Sequence, residues 1–243
     1  MTAGGDDVHE VWTYDEVARA ESERGEVVLR RRRVVDSSDG VGASADTGVL
    51  ELRVNGVFVM DTLETTTEQA LARAALDRVD SPRDVLVGGL GLGFTVHEVL
   101  TDRRVERLVV VEVEQALAEW MRDGTIPHGP SFLADARLRV VEADLRDAVR
   151  EAPSASFDLV LLDVDNGPAN LVHEGNALLY RAPFLREVAA TLREGGALVV
   201  WSASEAGELA AALEEVFGAV ASLPMPVRLQ DREEDYWLYL ARR

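Results

Sequence analysis

The sequence predicts a doubly wound α/β fold with a mostly parallel sheet, preceded by a small antiparallel β region. Short apolar runs recur along most of the chain, each followed by a stretch with helical spacing. Alternating β and α segments favour a parallel sheet with helices on both faces. Most of the runs are near-continuous Val and Leu, as expected for strands buried on both faces. Asn55-Gly56 lies between two further apolar runs, which predicts a hairpin ahead of the main sheet.

The first 64 residues are expected to hold a helix and a small β-sheet, and residues 65–243 a separate α/β domain. Tyr14 to Arg24 has a thin apolar stripe that is compatible with a helix. Gly25 to Val35 alternates like a strand and includes a run of four Arg, which is more often a solvated strand end or a partner for acids than an anion site. Residues 36–47 are rich in Ser, Gly and Asp and predict a loop.

The second region alternates regularly. Strands are predicted at 84–88, 107–113, 138–142, 158–163 and 196–201, and helices at 65–79, 94–102, 115–122, 145–150, 179–193 and 205–217. Pro224-Met225-Pro226 is expected to interrupt the chain. Tyr236 to Leu240 predicts a last strand, and because no helix leads directly into it, we expect it to pair antiparallel.

Composition excludes several classes of site. The formal net charge is -19, from 44 acidic residues against 25 basic ones that are all Arg. The absence of Lys excludes a Schiff base or a P-loop lysine, and the absence of Cys excludes disulfides and thiolate chemistry. The four His have no metal-ligand spacing, so no metal site is predicted. The negative field would repel nucleic acid and attract a cationic substrate, although an acidic surface is first of all a solubility feature.

No apolar run approaches the ~20 residues that a membrane-spanning helix needs. The first residues do not have the pattern of a signal peptide. A cytoplasmic protein without membrane contact is therefore expected.

The strongest site signal is the turn after the first strand of the α/β region. The apolar run Val85 to Val87 ends in a stretch that contains Gly89, Gly91 and Gly93 and leads into a helix. Glycine lets a ligand approach the backbone closely, and the free amides of a helix start point into the same gap. The turn is therefore predicted to bind a ligand.

Acidic residues follow the next strands, where ligands of open α/β sheets bind. Glu112 could accept from both ribose hydroxyls, or be an exposed strand-end acid. Asp144 could bind an adenine amino group with Leu145 beside the ring, or cap the helix that follows it; both roles can coexist. Asp163 and Asp165 follow the fourth strand in a stretch that a plain Asx turn also explains.

Glu68 is a further acid near this edge. Thr65-x-x-Glu68 fits a capping box, and that structural role is favoured over a role in a site.

The glycine spacing favours one nucleoside class over another. A dinucleotide fingerprint G-x-G-x-x-G would need glycine where Phe94 stands. Because G-x-G-x-G is followed by acids after the next strands, the pattern fits a ligand of the S-adenosylmethionine type, which has no pyrophosphate, better than NAD.

The region from about 49 to 196 resembles the spermidine synthase (polyamine aminopropyltransferase) family on the class I S-adenosylmethionine-dependent methyltransferase fold. The matching pieces are Met60-Asp61-Thr62 after the hairpin, Val85-Leu86-Val87-Gly88-Gly89, Glu112-Val113-Glu114, Glu142-Ala143-Asp144, the run from Phe157 to Asp163, and Gly167-Pro168. The resemblance implies a seven-stranded Rossmann-like sheet and a homodimer. It also implies that Glu112 holds the ribose, Asp144 the adenine end, and that Asp163 lies beside the sulfonium and the acceptor amine.

The chain departs from that family at three places. The aspartate of the family's glycine loop is replaced by Leu90 and Gly91. Its Asp-Ser-Ser-Asp-Pro stretch is replaced by residues 163–167, and its aromatic–histidine/glutamine–glutamate set is missing around Thr66, Thr67 and Glu68.

The expected function is transfer of an aminopropyl or methyl group from S-adenosylmethionine, or its decarboxylated form, to a small cationic amine. Asp163 is the candidate base and Asp165 the candidate cation anchor, and no metal is involved. The alternative is a nucleoside-binding or regulatory protein that has lost catalysis.

Overall fold

The computed structural model describes residues 11–35, 48–229 and 232–243. The strands are β1 (Val11–Ser22), β2 (Gly25–Val35), β3 (Val49–Val54), β4 (Val57–Asp61), β5 (Asp84–Gly88), β6 (Arg107–Glu112), β7 (Leu138–Glu142), β8 (Phe157–Leu162), β9 (Leu192–Ser202), β10 (Val220–Leu229) and β11 (Arg232–Arg242). The helices are α1 (Thr66–Leu76), α2 (Phe94–Thr101), α3 (Gln115–Asp123), α4 (Gly129–Phe132), α5 (Leu145–Glu151), α6 (Ala182–Thr191) and α7 (Gly207–Phe217), with a 3₁₀ helix at Glu174–Tyr180. None of the helices in these ranges is both long and apolar enough to cross a bilayer.

The larger sheet has seven strands in the order β10-β11-β9-β8-β5-β6-β7. Strands β5 to β9 are parallel, while β11 pairs antiparallel with β9 and β10 antiparallel with β11. The doubly wound, mostly parallel sheet and its antiparallel last strand are thus confirmed. Because β5 lies between β6 and β8, the chain reverses direction across the sheet beside β5, and a crevice opens at the carboxyl ends of these three strands.

The smaller sheet is antiparallel, in the order β1-β2-β3-β4. Its β3–β4 hairpin turns at Asn55 and Gly56, whose φ angles of 51° and 75° are both positive, as a two-residue turn of type I′ requires. The hairpin prediction is confirmed, and β4 runs from it toward α1 along the crevice. The loop predicted at 36–47 lies outside the described residues.

The helix predicted for Tyr14 to Arg24 is wrong, because this segment forms β1. Opposite charges face each other across β1 and β2: Glu16 lies opposite Arg30, and an ion pair of 2.7 Å joins Asp15 to Arg33. The Tyr14 ring lies 5.3 Å from the Arg30 guanidinium carbon. Such cross-strand pairs stabilise a strand that has little apolar surface, and the four-Arg run supplies them.

The expected interruption at Pro224-Met225-Pro226 is also wrong, since all three residues lie within β10. This strand is at the edge of the sheet. Proline lacks an amide hydrogen but is tolerated on an edge strand where that position faces away from the neighbouring strand. Pro224 and Pro226 are two residues apart and therefore have the same orientation in the strand.

One predicted helix is divided. Residues 179–193 were expected to be a single helix, but a 3₁₀ turn ends at Tyr180 and α6 begins at Ala182. Pro183 explains the start, because proline is suited to the first helical turn, where its missing amide hydrogen is not needed.

Candidate active site

Two adjoining cavities open at the carboxyl ends of β5, β6 and β8. The larger encloses about 950 Å³ and the smaller about 670 Å³, with open solvent at their mouths included. The larger lies between the glycine turn, the ends of β6 and β7, and β3 and β4; the smaller lies between β4, the start of α1, and β9 and β11. Val59, Gly91, Asp163 and Asp165 line both, so the two cavities meet at these residues.

The glycine turn lies directly against the end of β8. The Gly89 amide donates to the carbonyl of Val111 at 2.9 Å, and its φ of 93° is in the left-handed region. A Cβ at this position would clash with the backbone carbonyl of Asp163. Only glycine therefore allows the turn and the end of β8 to approach so closely.

The other predicted glycines are placed differently. Gly91 lines both cavities, whereas Gly93 is the N-cap of α2, packs near Met121 and lines neither cavity. Leu92 is fully buried, and Leu90 contributes only to the wall of the smaller cavity. The larger cavity is therefore not filled by the side chains of the turn.

Glu112 ends β6 as a buried carboxylate, with 7% of its surface exposed. Its Oε2 accepts from the Leu90 amide at 2.9 Å and its Oε1 from the Glu114 amide at 2.8 Å. Burial raises its pKa. The alternative of an exposed strand-end acid is wrong: the side chain lines the larger cavity, and each oxygen keeps a lone pair for a further donor.

Asp144 does cap α5. Its Oδ1 accepts from the Arg146 amide at 2.8 Å, and its Oδ2 pairs with the Arg146 guanidinium at 2.6 Å. This guanidinium holds the pKa of Asp144 below its usual range. Asp144 and Leu145 both line the larger cavity, so capping and ligand contact are compatible at this position.

Asp163 lies at the junction of the two cavities, directly after β8. Its Oδ2 accepts from the Thr95 hydroxyl at 2.6 Å, and its Oδ1 accepts from no described residue. Burial raises its pKa to about 6. A carboxylate that titrates near neutral pH and has one oxygen uncommitted can accept a proton.

Asp165 holds the loop that follows. It adopts a φ of 65°, and its carboxylate accepts from the amides of Asn166 at 2.8 Å and Val172 at 2.6 Å. The Asn176 side-chain amide donates to its Oδ2 at 2.8 Å. Asp165 therefore fixes residues 166–176 beside both cavities.

The capping box at Thr65 and Glu68 is wrong. Thr65 makes no side-chain cap; instead, the Thr66 amide donates to Glu64 Oε1 at 2.9 Å. Glu64 takes this role, and Glu68 instead lines the smaller cavity, where its Oε2 accepts from the Thr67 hydroxyl at 2.9 Å. Burial, followed by the charge of Asp163, raises the pKa of Glu68 to about 7. The signal available in the sequence was Glu64, a second acid placed to cap the same turn.

The smaller cavity is acidic and aromatic. The acids that line it are Asp61, Glu64, Glu68, Asp163 and Asp165, and the aromatic residues are Phe58, Phe94, Trp201 and Tyr236. No Arg is among its described lining residues. Among these acids, only Asp61 has a close cation within the described part of the chain, Arg32 at 2.7 Å. Burial, with the surrounding acids, raises the pKa of Tyr236 to about 12. The cavity is therefore suited to a ligand with positive charge and apolar carbon.

A stability measurement tests the environment of Glu68. A carboxyl whose pKa is raised from 4.5 to about 7 binds more protons in the folded state, so its contribution to stability falls as pH rises through this range. We expect Glu68→Gln to change the free energy of unfolding little at pH 4. At pH 8 the substitution should raise the free energy of unfolding by roughly 1–3 kcal/mol, because the penalty of a buried charge is removed. Denaturant unfolding at both pH values measures this.

The matched control is Glu119→Gln on the exposed face of α3, where glutamine can keep the contact with Gln115. The free energy of unfolding of Glu119→Gln should differ from that of the wild type by the same small amount at both pH values. A Glu68→Gln protein whose stability relative to the wild type is no greater at pH 8 than at pH 4 would contradict the buried, acid-facing placement of this side chain.

Within the described residues, no group of three or more His, Asp or Glu side chains is arranged to hold a metal ion.

A family model described as the spermine/spermidine synthase domain matches residues 64–214. Polyamine aminopropyltransferase 2 of Pseudomonas aeruginosa is 33% identical over 141 residues, which cover 56% of this chain and 38% of that protein. Putrescine N-methyltransferase 3 of Nicotiana tabacum is 28% identical over 130 residues, which cover 53% and 32% respectively. The polyamine aminopropyltransferase of Aeropyrum pernix is 29% identical over 177 residues, which cover 67% and 54%. The chain thus spans between about a third and a half of the length of these relatives.

Solved structures show the same fold. A spermidine synthase in complex with the transition-state analogue AdoDATO has a TM-score of 0.76 at 17% identity, over 98% of this chain and 83% of that one. Spermidine synthase from Thermotoga maritima has a TM-score of 0.75 at 16% identity, over 98% and 82%. Because the family model matches well over half of the residues, this chain belongs to the spermine/spermidine synthase family.

Proposed function

We propose that the protein is a transferase that moves an aminopropyl or methyl group from an S-adenosylmethionine-type donor to a small cationic amine. The observation that carries the proposal is the position of Asp163, at the junction of the cavity that contains Glu112 and the cavity lined by acids. The names of the relatives, aminopropyltransferases and N-methyltransferases acting on polyamines or putrescine, support the same class of reaction.

The larger cavity has the groups that an adenosine needs. In this proposal the ribose hydroxyls donate to Glu112, whose oxygens are held by two backbone amides. The adenine lies near Leu145 with its amino group toward Asp144, which the Arg146 guanidinium keeps ionised. The sulfur then lies near Gly91 and Asp163, which are shared with the second cavity.

The smaller cavity receives the acceptor. An amine that enters as an ammonium ion is attracted by Glu64, Glu68 and Asp163, and its carbon chain can contact the Trp201 and Tyr236 rings. Asp165 contributes charge here, but its oxygens already accept hydrogen bonds from its own loop. Asp163 is therefore the stronger candidate for direct contact with the reacting nitrogen.

The reaction needs alignment and removal of one proton. The ammonium ion has no lone pair, so one of its protons passes first to Asp163 Oδ1. The nitrogen lone pair then forms a bond to the donor carbon as that carbon's bond to sulfur breaks. The thioether leaves neutral, and the positive charge of the sulfonium passes to the alkylated nitrogen. The pKa of about 6 leaves this carboxylate ionised at neutral pH and basic enough to take the proton.

The donor's exact form is open to a direct test. Isothermal titration with S-adenosylmethionine, decarboxylated S-adenosylmethionine and methylthioadenosine should give saturable binding for methylthioadenosine and for one of the two donors. With that donor and a panel of diamines, product should appear in mass spectrometry. Glu112→Gln is expected to weaken nucleoside binding by about 10–100-fold, since a hydrogen bond to a charged group contributes roughly 1.5–3 kcal/mol.

The outcomes separate the alternatives. Tight donor binding without product on any amine would favour a nucleoside-binding or regulatory protein. Failure of all three nucleosides to bind would overturn the nucleoside assignment itself. The division into residues 1–64 and 65–243, the homodimer and the cytoplasmic location stay predictions from the sequence.

A further inference from the structure

Thr95 makes a contact that neither its helix nor the packing of α2 requires. It is the second residue of α2, with 2% of its surface exposed, and its hydroxyl donates to Asp163 Oδ2 at 2.6 Å. A threonine hydroxyl in a helix usually bonds a backbone carbonyl three or four residues earlier. Thr101, at the other end of α2, does so with the carbonyl of Glu98 at 2.7 Å. The Thr95 hydroxyl instead leaves its own helix and contacts the end of β8.

This hydrogen bond fixes which oxygen of Asp163 is available. Because Oδ2 is taken by Thr95 and Oδ1 has no described partner, the free oxygen is the one left for a ligand at the junction of the cavities. A β-branched side chain has few χ1 rotamers, so a buried threonine is a stiff donor. A hydrogen bond to an ionised oxygen is also shorter and stronger than a neutral one.

The Thr95 hydroxyl is the main group that stabilises a negative charge on Asp163. Among the described residues, the ionisable groups that interact with Asp163 from the smaller cavity and the 3₁₀ helix are Glu68, Asp165 and Tyr180, none of which is a cation. The larger cavity is also lined by His173, Arg24 and Arg146, but the two Arg pair with other acids, Glu114 and Asp144. No Arg lines the described part of the smaller cavity. Burial acts to raise the pKa of Asp163, and the Thr95 hydroxyl acts to lower it.

We propose that Thr95 is a positioning residue for the transfer reaction: its hydroxyl holds the Asp163 carboxylate ionised and turned so that Oδ1 faces the acceptor amine. The proposal rests on the proposed function. It gives the first turn of α2 a role in orienting Asp163, in addition to the ligand contact of the glycine turn.

Three variants test it. Thr95→Val replaces the hydroxyl with a methyl group of nearly the same size, Thr95→Ser keeps the hydroxyl, and Thr101→Val makes the same change on an exposed part of the same helix. The first measurement is the titration of the Asp163 carboxyl carbon by NMR in ¹³C-aspartate-labelled protein, assigned with Asp163→Asn. The second is the pH dependence of kcat/KM.

We expect Thr95→Val to raise the Asp163 titration midpoint by about one pH unit and to move the acidic limb of the kcat/KM profile upward by a similar amount. Thr95→Ser and Thr101→Val should both leave the two midpoints at their wild-type values. The KM for the donor should stay unchanged in all three, because Thr95 lines only the acceptor side.

Two results would overturn the proposal. One is a Thr95→Val protein whose two midpoints both match the wild type. The other is a Thr95→Ser protein that behaves like Thr95→Val, since this would assign the effect to packing of the methyl group. An absence of turnover by the wild type with every donor and amine would instead overturn the proposed function, and the NMR titration would still report whether Thr95 controls Asp163.

Discussion

Asp163→Asn is expected to lower turnover by about 10²–10⁴-fold, the range that a positioned general base contributes. Asparagine has nearly the same shape, and its side-chain oxygen can still accept from the Thr95 hydroxyl, which lies at 2.6 Å from Oδ2 in the native protein. What it loses is the ability to take a proton from the acceptor nitrogen. The measurements are kcat with the best donor and amine, and the affinity for methylthioadenosine by titration.

Methylthioadenosine is the suitable ligand for the affinity measurement. Its sulfur is neutral, so its affinity does not depend on the charge of Asp163. We expect that affinity to stay within about threefold of the wild type. Asp147→Asn on the exposed face of α5 is the matched control and should change neither quantity. Turnover that survives in Asp163→Asn would remove this residue from the mechanism.

Arg32→Met is expected to lower the free energy of unfolding by about 3–5 kcal/mol, because it leaves a buried carboxylate without its cation. Arg32 and Asp61 are each only 6% exposed, and the Arg32 guanidinium lies 2.7 Å from Asp61 Oδ2. Asp61 Oδ1 also accepts from the Leu63 and Glu64 amides, both at 2.9 Å, at the start of the segment that leads to α1. Loss of the pair should therefore also raise the KM for the amine more than the KM for the donor.

The control is Arg19→Met in the same small sheet, whose partners are the exposed Glu16 and the partly exposed Glu26. Exposed ion pairs contribute about 0–1 kcal/mol, so this variant should remain close to the wild type. Combining Arg32→Met with Asp61→Asn should recover part of the loss, since the uncompensated charge is then removed. A loss below about 1 kcal/mol for Arg32→Met alone would contradict the buried pair.

The core of the fold could be predicted because the amino-acid composition of its strands indicates that they are buried. Strands β5, β6 and β8 are largely buried on both faces, and each contains an unbroken stretch of Val and Leu, at 85–87, 108–111 and 159–162. Strands β1 and β10 could not be predicted in this way. The first is stabilised by charges on its partner strand, and the second contains prolines that only an edge position tolerates.

The same distinction applies to the site. Glu112, Asp144 and Asp163 follow parallel strands, and the carboxyl ends of parallel strands converge, so their proximity could be inferred from order alone. Glu68 and Thr95 lie in the first turns of helices. The direction of their side chains depends on which neighbouring groups accept from the free amides of that turn, and the sequence does not show this. Trp201 and Tyr236 come together through the antiparallel pairing of β9 with β11, with ring centroids 5.0 Å apart. The sequence predicted an antiparallel last strand, but not its partner strand or its register.

The most direct test of the account is a crystal structure with methylthioadenosine and 1,4-diaminobutane bound together. The account predicts the ribose hydroxyls within hydrogen-bond distance of Glu112, the adenine beside Leu145, and one amine nitrogen between Asp163 Oδ1 and Glu68. A nucleoside bound elsewhere, or a ternary complex in which Glu112 contacts no ligand and the diamine lies outside the cavity formed by β4, α1, β9 and β11, would contradict it.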